Sequence, residues 1–325
     1  MKTNAVRVSR YGGPEVLEVQ EIDVPDPAPG EVRVRNRAIG VNFLDIYYRT
    51  GLYPSQLPIG LGTEGAGEVE AVGADVRGLR VGDRVAYGSG PVGAYAGLRC
   101  MPAQNVVPLP KEIGFEQAAG VMLKGLTVQY LFRQTYRLQG TETILFHAAA
   151  GGVGLIACQW ARALGVRMIG TVGSPEKAQL ARAHGAWEVV DYAREDFVAR
   201  VNELTKGAKV PVVYDGVGKD TFERSLDCLQ PRGLMVSYGN ASGPVTGVNL
   251  GILAQKGSLY LTRPTLATHV TPRSRLEESA AELFGHMKSG AIRVEIAQRY
   301  PLAQAAQAQT DLAARRTTGS SVLIP

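Results

Sequence analysis

The sequence predicts an α/β protein of two domains: a β-rich, barrel-like domain and a doubly wound parallel-sheet domain. Three observations lead there. The chain has 325 residues, more than one ordinary hydrophobic core organises. Its hydrophobic patterning changes near Gly125, from period-2 runs to alternating strand and helix signals. A glycine-rich turn then joins an apolar run to a helical one.

The elements follow in order. From Val6 to about Pro110, short alternating runs such as Glu31–Arg35 and Gly67–Gly73 are separated by Gly and Pro turns about every ten residues, the grammar of antiparallel strands. Beyond Gly125, strands are expected at 143–147, 166–172, 187–191, 210–215, 234–238 and 258–262. Helices are expected near 152–165, 175–184, 194–205 and 219–229. Such alternation makes a parallel sheet covered on both faces. After Pro264 come a helix (273–289), a strand (291–300), a helix (301–315) and a strand from Ser321 to Ile324. These have no place in a six-stranded parallel sheet and are assigned back to the first domain. The expected boundaries are therefore 1–124 plus 265–325 for the β-rich domain and 125–264 for the parallel-sheet domain.

The turn after Phe146 reads His147-Ala-Ala-Ala-Gly-Gly-Val-Gly154, followed by Ile156, Ala157, Trp160 and Leu164 at helical spacing. Gly151 would let backbone approach a pyrophosphate and Gly154 would let the helix pack closely on its strand. The helix N-terminus offers free N–H groups to phosphates. Ala149 stands where the first glycine of the usual fingerprint would be. The bland alternative is a tight turn with no ligand. Thr143 to Ala161 is also uncharged over the length of a membrane span, but Gly151, Gly152 and Gly154 in its middle break such a helix.

A carboxylate about 20 residues past the glycines marks NAD-preferring folds of this kind. Here Ser174 stands at that distance, within Thr171-Val-Gly-Ser-Pro-Glu-Lys177. Ser174 before Pro175 reads as an N-cap with proline at the first helical position. Lys177 is then placed to meet a 2′-phosphate, with Glu176 expected to face elsewhere; the alternative is a solvated surface lysine. NADPH is the expected cofactor.

Hydrophobic residues at 45% and charged residues at 20% describe a globular chain. The N-terminus Met1-Lys-Thr-Asn mixes charge and polarity instead of opening an apolar run, so a cytoplasmic location is expected. Cys100, Cys158 and Cys228 make no CxxC, which suits a reducing compartment. The net charge of +5 is scattered, which argues against nucleic acid as a partner.

These residues together resemble a known family. Gly12-Gly-Pro-Glu-Val-Leu17, Ile39-Gly-Val-Asn-Phe-Leu-Asp45, Gly62-Thr-Glu64, Gly82-Asp-Arg-Val85, Leu123-Lys-Gly-Leu-Thr127, the 148–154 turn, Tyr238-Gly-Asn240 and Gly319-Ser-Ser321 are similar to the zinc-independent quinone oxidoreductases related to zeta-crystallin. That family belongs to the medium-chain dehydrogenase/reductase superfamily. The resemblance implies a GroES-like catalytic domain, a Rossmann domain, a cleft where they meet, and homodimers. It implies that Asn42, Asp45, Tyr47, Tyr53 and Thr127 line the nicotinamide and substrate site, with no acid-base role assigned. Flat substrate rings would be sandwiched by the tyrosines, unless these are packed core residues.

Cofactor contacts are implied for Asn42, Tyr130, Gly151, Gly152, Val153 and Gly154. The adenosine end would involve Gly173, Ser174, Lys177, Tyr192 and Arg315, while Tyr238, Gly239, Asn240 and Arg263 complete the set. Zinc-dependent relatives carry metal ligands where this chain has Asn42 and Thr63, and the third ligand has no Cys or His counterpart between Met101 and Phe146. No metal is expected, because catalytic zinc needs three protein ligands. Glu64 and Lys124 match motif positions, as either a structural ion pair or part of the site. The implied activity is NADPH-dependent quinone reduction. Reduction of activated C=C bonds and a non-enzymatic nucleic-acid-binding or crystallin-like role are the alternatives.

Overall fold

Alternating valines and glycines in the first third of the chain do form antiparallel strands: β1 (Lys2–Val8), β2 (Leu17–Asp23), β3 (Glu31–Gly40), β4 (Ile59–Gly60), β5 (Gly65–Val72), β6 (Arg84–Tyr87), β7 (Leu98–Pro102) and β8 (Val107–Pro108). The structure, a computed structural model, describes residues 1–325. β1 pairs with β2 and β4 in a small sheet, while β3 anchors a larger one by pairing antiparallel with both β5 and β7. Val32, Val34, Ile39, Leu61, Val85 and Tyr95 fill the core beneath them.

The second grammar gives β9 (Thr143–Phe146), β10 (Arg167–Val172), β11 (Glu188–Asp191), β12 (Val210–Asp215), β13 (Leu229–Ser237) and β14 (Tyr260–Thr262). All pairs are parallel, in the order β11-β10-β9-β12-β13-β14. Order reverses beside β9, which creates the topological switch point at which such sheets bind ligands. The uncharged run from Thr143 is thus one buried strand plus the helix Gly152–Ala163, and no helix in the chain is long and apolar enough to cross a membrane.

Several bounds differ from expectation: the strand expected at 291–300 is Ile296–Pro301 and the helix expected at 301–315 is Ala305–Ala313, and two further differences have visible reasons. The helix expected at 219–229 spans only Phe222–Asp227, because the preceding loop wraps the Asp215 carboxylate. Val217 N and Gly218 N donate to Asp215 Oδ1 at 2.7 and 3.0 Å, and Thr221 Oγ1 donates to Oδ2 at 2.7 Å. β13 begins five residues earlier than 234, since Pro231 and Gly233 mark an irregularity within the strand instead of its start; Arg232 there has a φ of 61°.

After helix Arg273–Lys288, β15 (Ile296–Pro301) and β16 (Ser320–Ile324) pair in parallel, and β16 lies antiparallel on β3 with Leu323 opposite Ile39. The chain divides into a unit of residues 1–126, 270–289 and 294–325 and a unit of residues 127–269 and 290–293. The short return of 290–293 has a direct cause. Gln159 accepts from Arg293 N at 2.8 Å and donates to Arg293 O at 3.1 Å.

Candidate active site

In the second unit, the loops that follow all six parallel strands leave the same edge of the sheet. Gly151–Gly154 follow β9, Gly173 and Ser174 follow β10, Tyr192 follows β11, Gly216 follows β12, Tyr238–Asn240 follow β13 and Arg263 follows β14. Parallel register makes this unavoidable: every carboxyl end lies on one side.

The glycines here are shaped by specific approaches. A Cβ on Gly154 would lie 2.4 Å from Ala148 O and 2.6 Å from Ala149 backbone, so the helix sits too close to the turn for any side chain. Gly151, the N-cap, is exposed, and its Cβ would meet only Ala148 O, at 3.3 Å. The helix N-terminus is therefore open on its outer side, and the cradle fits a pyrophosphate. The turn's left-handed residue is Ala148, with φ 57°, a conformation costly for a residue with a Cβ. Ala149 has its methyl accommodated by Gly170 on β10, where a Cβ would stand 2.6 Å from it.

Past the end of β10, a Cβ on Gly173 would be 2.6 Å from the Tyr192 hydroxyl, so Tyr192 lies across the end of that strand. Ser174 caps the helix Pro175–Ala183 by accepting from Lys177 N at 3.3 Å. Glu176 does not face elsewhere, as the sequence suggested. Ser174 hydrogen-bonds its carboxylate and holds it below the ordinary carboxylate range, as a helix N-terminus favours. Tyr238 packs over Gly216, and Gly239 approaches Gly216 O so closely that a Cβ would be 2.4 Å away. Arg263 donates to Ser237 O at 2.8 Å and, in the amide orientation its neighbours require, to the Asn240 side-chain oxygen at 3.0 Å. It thereby ties β14 to the loop after β13. Tyr130 is a buried ring stacked on His269, centroids 4.5 Å apart. Buried His147 bridges Thr171 and Ser225 hydroxyls at 2.8 and 2.9 Å, and burial lowers its pKa, which makes it a core residue.

The first unit builds a different kind of site. Asn42 is the N-cap of helix Phe43–Thr50. Its backbone N–H donates to Asp45 Oδ2 at 2.8 Å and its side-chain amide to Glu64 Oε2 at 2.8 Å. Lys124 Nζ donates to that same oxygen at 2.9 Å, and Leu123 N to Oε1 at 2.8 Å. Glu64 is fully buried. Gly40 makes room for its carboxylate, since a Cβ there would be 2.0 Å from Oε2. Thr63 is buried with its hydroxyl unpartnered. No group of three or more His, Cys, Asp or Glu is arranged to hold a metal.

Asp45 is also fully buried, so it supports the site from within. The Tyr95 hydroxyl donates to its Oδ2 at 2.8 Å, Oδ1 has no partner, and burial pushes its pKa up to about 7. Tyr95, Gln309 and Arg49 continue the network, with Arg49 donating to Gln309 at 2.7 Å. Tyr47 and Tyr53 are half-buried, but their rings meet edge to face at 5.3 Å. A ring held between them would need roughly 7 Å between facing planes, twice a stacking contact, so the expected sandwich is replaced by a wall. Phe43, 6.5 Å from Tyr47, extends that wall; its i, i+4 spacing was the available signal. Thr127 is buried in the helix Met122–Tyr130, and Arg315 is exposed beyond the helix Ala305–Ala313, with φ 58°.

A switch-point parallel sheet in a chain that also forms a β-rich domain from both its ends defines the medium-chain dehydrogenase/reductase class. Residues 28–111 match the alcohol dehydrogenase GroES-like domain and residues 152–284 the zinc-binding dehydrogenase domain. The chain is 66% identical to the quinone oxidoreductase of Pseudomonas aeruginosa, over 98% of this chain and 99% of that one. It is 44% identical to a 2-haloacrylate reductase from a Burkholderia species, over 99% and 98% of the two chains. The crystal structure of Escherichia coli quinone oxidoreductase complexed with NADPH superposes with a TM-score of 0.98 at 56% identity, covering 99% of this chain and all of that one. This chain belongs to the quinone oxidoreductase family.

Proposed function

We propose that the protein is an NADPH-dependent quinone oxidoreductase that works without a metal. The observation that carries this is the full-length likeness to quinone oxidoreductases, joined to an NADPH complex of the same fold. When bound, NADPH supplies the hydride, and the protein supplies binding and orientation. The N-terminus of helix Gly152–Ala163 takes the pyrophosphate. Lys177 and Tyr192 take the 2′-phosphate side. Asn42, Tyr47 and Tyr53 receive the acceptor, and Asp45 acts on it only through the backbone of Asn42. The Asn42 amide is committed to Glu64 and amides are poor zinc ligands, so the residues at the metal position of zinc relatives suit hydrogen bonding instead. A quinone needs less Lewis-acid help than a ketone, because the charge it gains is delocalised. The protein is assigned as a cytoplasmic homodimer that binds no nucleic acid.

Turnover with NADPH across benzoquinone, naphthoquinone, an enone and a primary alcohol tests the assignment. Quinones are expected to react fastest, with EDTA without effect. Efficient alcohol oxidation, or one zinc per chain with activity lost on chelation, would refute it. A preference for the enone would move the assignment to reduction of activated C=C bonds.

A further inference from the structure

Two buried charges in the first unit have no part in the function so far. Glu64 has no exposed side-chain surface and Lys124 only 7%, and their ion pair is 2.9 Å long. Taking two ions out of water costs several kcal/mol each, and apolar replacements are often as stable. Stability alone is therefore a weak reason for the pair. Its surroundings offer a better one. Glu64 Oε2 accepts both from Lys124 Nζ and from Asn42 Nδ2, so the ammonium and the Asn42 amide are neighbours around one oxygen. Leu123 N on Oε1 and the missing side chain of Gly40 fix that carboxylate against the backbone. Glu64 takes one of the three N–H donors of the ammonium, leaving two.

We propose that Lys124 supplies the fixed positive charge that stabilises the negative charge arriving on the acceptor oxygen, with Glu64 setting its position and moderating its strength. This rests on the placement of the acceptor beside Asn42 proposed above. The acceptor takes up two electrons and one proton as hydride, becoming the hydroquinone monoanion. Its second proton comes from water, and the nicotinamide is left oxidised. Charge thus develops on one oxygen of the acceptor, where a pre-positioned cation shielded from water acts more strongly than one in bulk solvent. An ammonium held this way does part of the work of a Lewis-acidic metal.

The test uses the full chain without cofactor and 4-nitrophenol as a probe, whose ionised form carries its charge on an aromatic oxygen and is visible by absorbance. In the wild type, bound nitrophenol is expected to ionise about one to two units below its free pKa, the effect of a neighbouring opposite charge. Lys124→Met should abolish the shift, Lys124→Arg should retain most of it, and Glu64→Gln should enlarge it. The double variant Glu64→Gln/Lys124→Met keeps the volume and removes both charges, which guards against a folding defect. It should melt near the wild type yet lose roughly a hundredfold in kcat with quinone and NADPH, the scale of one oxyanion-stabilising group. The same probe ionisation in the wild type and the double variant overturns the proposal, as does wild-type turnover by that variant. Probe binding that ignores Asn42→Ala removes the acceptor from Asn42 and overturns that placement together with the role of Lys124.

Discussion

The edge proposed for the dinucleotide and the cluster proposed for the acceptor are built on opposite principles. The first is made of missing side chains: Gly154, Gly170, Gly173, Gly216 and Gly239 each let backbone, a methyl group or a ring come closer than a Cβ permits. The second is made of buried charge: Glu64, Lys124 and Asp45 are held in the core by hydrogen bonds to Asn42, Leu123 and Tyr95. A site of absences is rigid because backbone geometry sets it. A site of buried charges depends on protonation and on each partner's presence. The two should therefore fail differently when perturbed.

The largest expected effect is at the glycine turn. Gly151→Val places a branched side chain at the open helix N-terminus, and NADPH binding should fall by orders of magnitude. The melting temperature should change little, because the space there is open. Gly154→Val, where backbone lies 2.4 Å from the new Cβ, should instead lose the fold. Calorimetry and thermal melts separate the two, and unchanged NADPH affinity in folded Gly151→Val would remove the pyrophosphate from this turn.

The buried-charge site should respond to pH where the glycine edge does not. Asp45 is raised from 3.8 to about 7 chiefly by burial. Its folded-state pKa exceeds its unfolded value, so its contribution to stability is complete below about pH 4 and is lost as pH rises through 7. At about 1.4 kcal/mol per unit, this amounts to ~4 kcal/mol across that window. Asp45→Asn should flatten the fall in unfolding free energy between pH 4 and 8 in urea titrations; an unaltered slope would count against a raised Asp45.

A smaller effect is expected at the adenosine end. Lys177→Ala should weaken NADPH by about one to two decades, the worth of roughly 1.5–3 kcal/mol for one charge-assisted contact, and leave NADH nearly unchanged. Higher ionic strength should shrink the NADPH preference. Since Glu176 competes for Ser174, Glu176→Gln should strengthen NADPH modestly. Equal losses for both dinucleotides in Lys177→Ala would assign that lysine to the fold or the pyrophosphate.

The smallest effect tests the compensation between turn and strand. Gly170→Ala alone should cost about 1–3 kcal/mol of overpacking. Combined with Ala149→Gly it should recover most of that in a double-mutant cycle. Simple additivity would mean that the methyl of Ala149 does not occupy the room above Gly170.

The contrast also explains what could be read from the sequence. Periodicity and punctuation located all six parallel strands, and the roles of Gly151 and Gly154 follow from their order after β9, because a motif of absences is written in consecutive residues. The Glu64–Lys124 pair spans 60 positions and depends on the fold for its meaning, so the sequence left both readings open. Arg263 and Tyr130 entered the cofactor set by resemblance, and their contacts to Ser237, Asn240 and His269 depend on the fold, so no local sequence signal marks them. Asp45 lies inside, and the tyrosine wall replaced the sandwich, because inward or outward direction on a one-turn scale is decided by packing. The shortening of the helix Phe222–Asp227 was hidden because the Asp215 carboxylate organises a loop whose residues also have fair helix propensity.

The clasp of Gln159 on Arg293 bears on how the nucleotide-binding unit can be cut from the chain. An excised fragment ending at His269 would leave the side-chain amide of Gln159 without its two partners on Arg293, on a helix whose buried face is otherwise apolar. Such a fragment should be less soluble and should capture a short synthetic peptide spanning residues 290–293, whose backbone completes the amide. A cut placed by strand and helix order alone would discard those four residues.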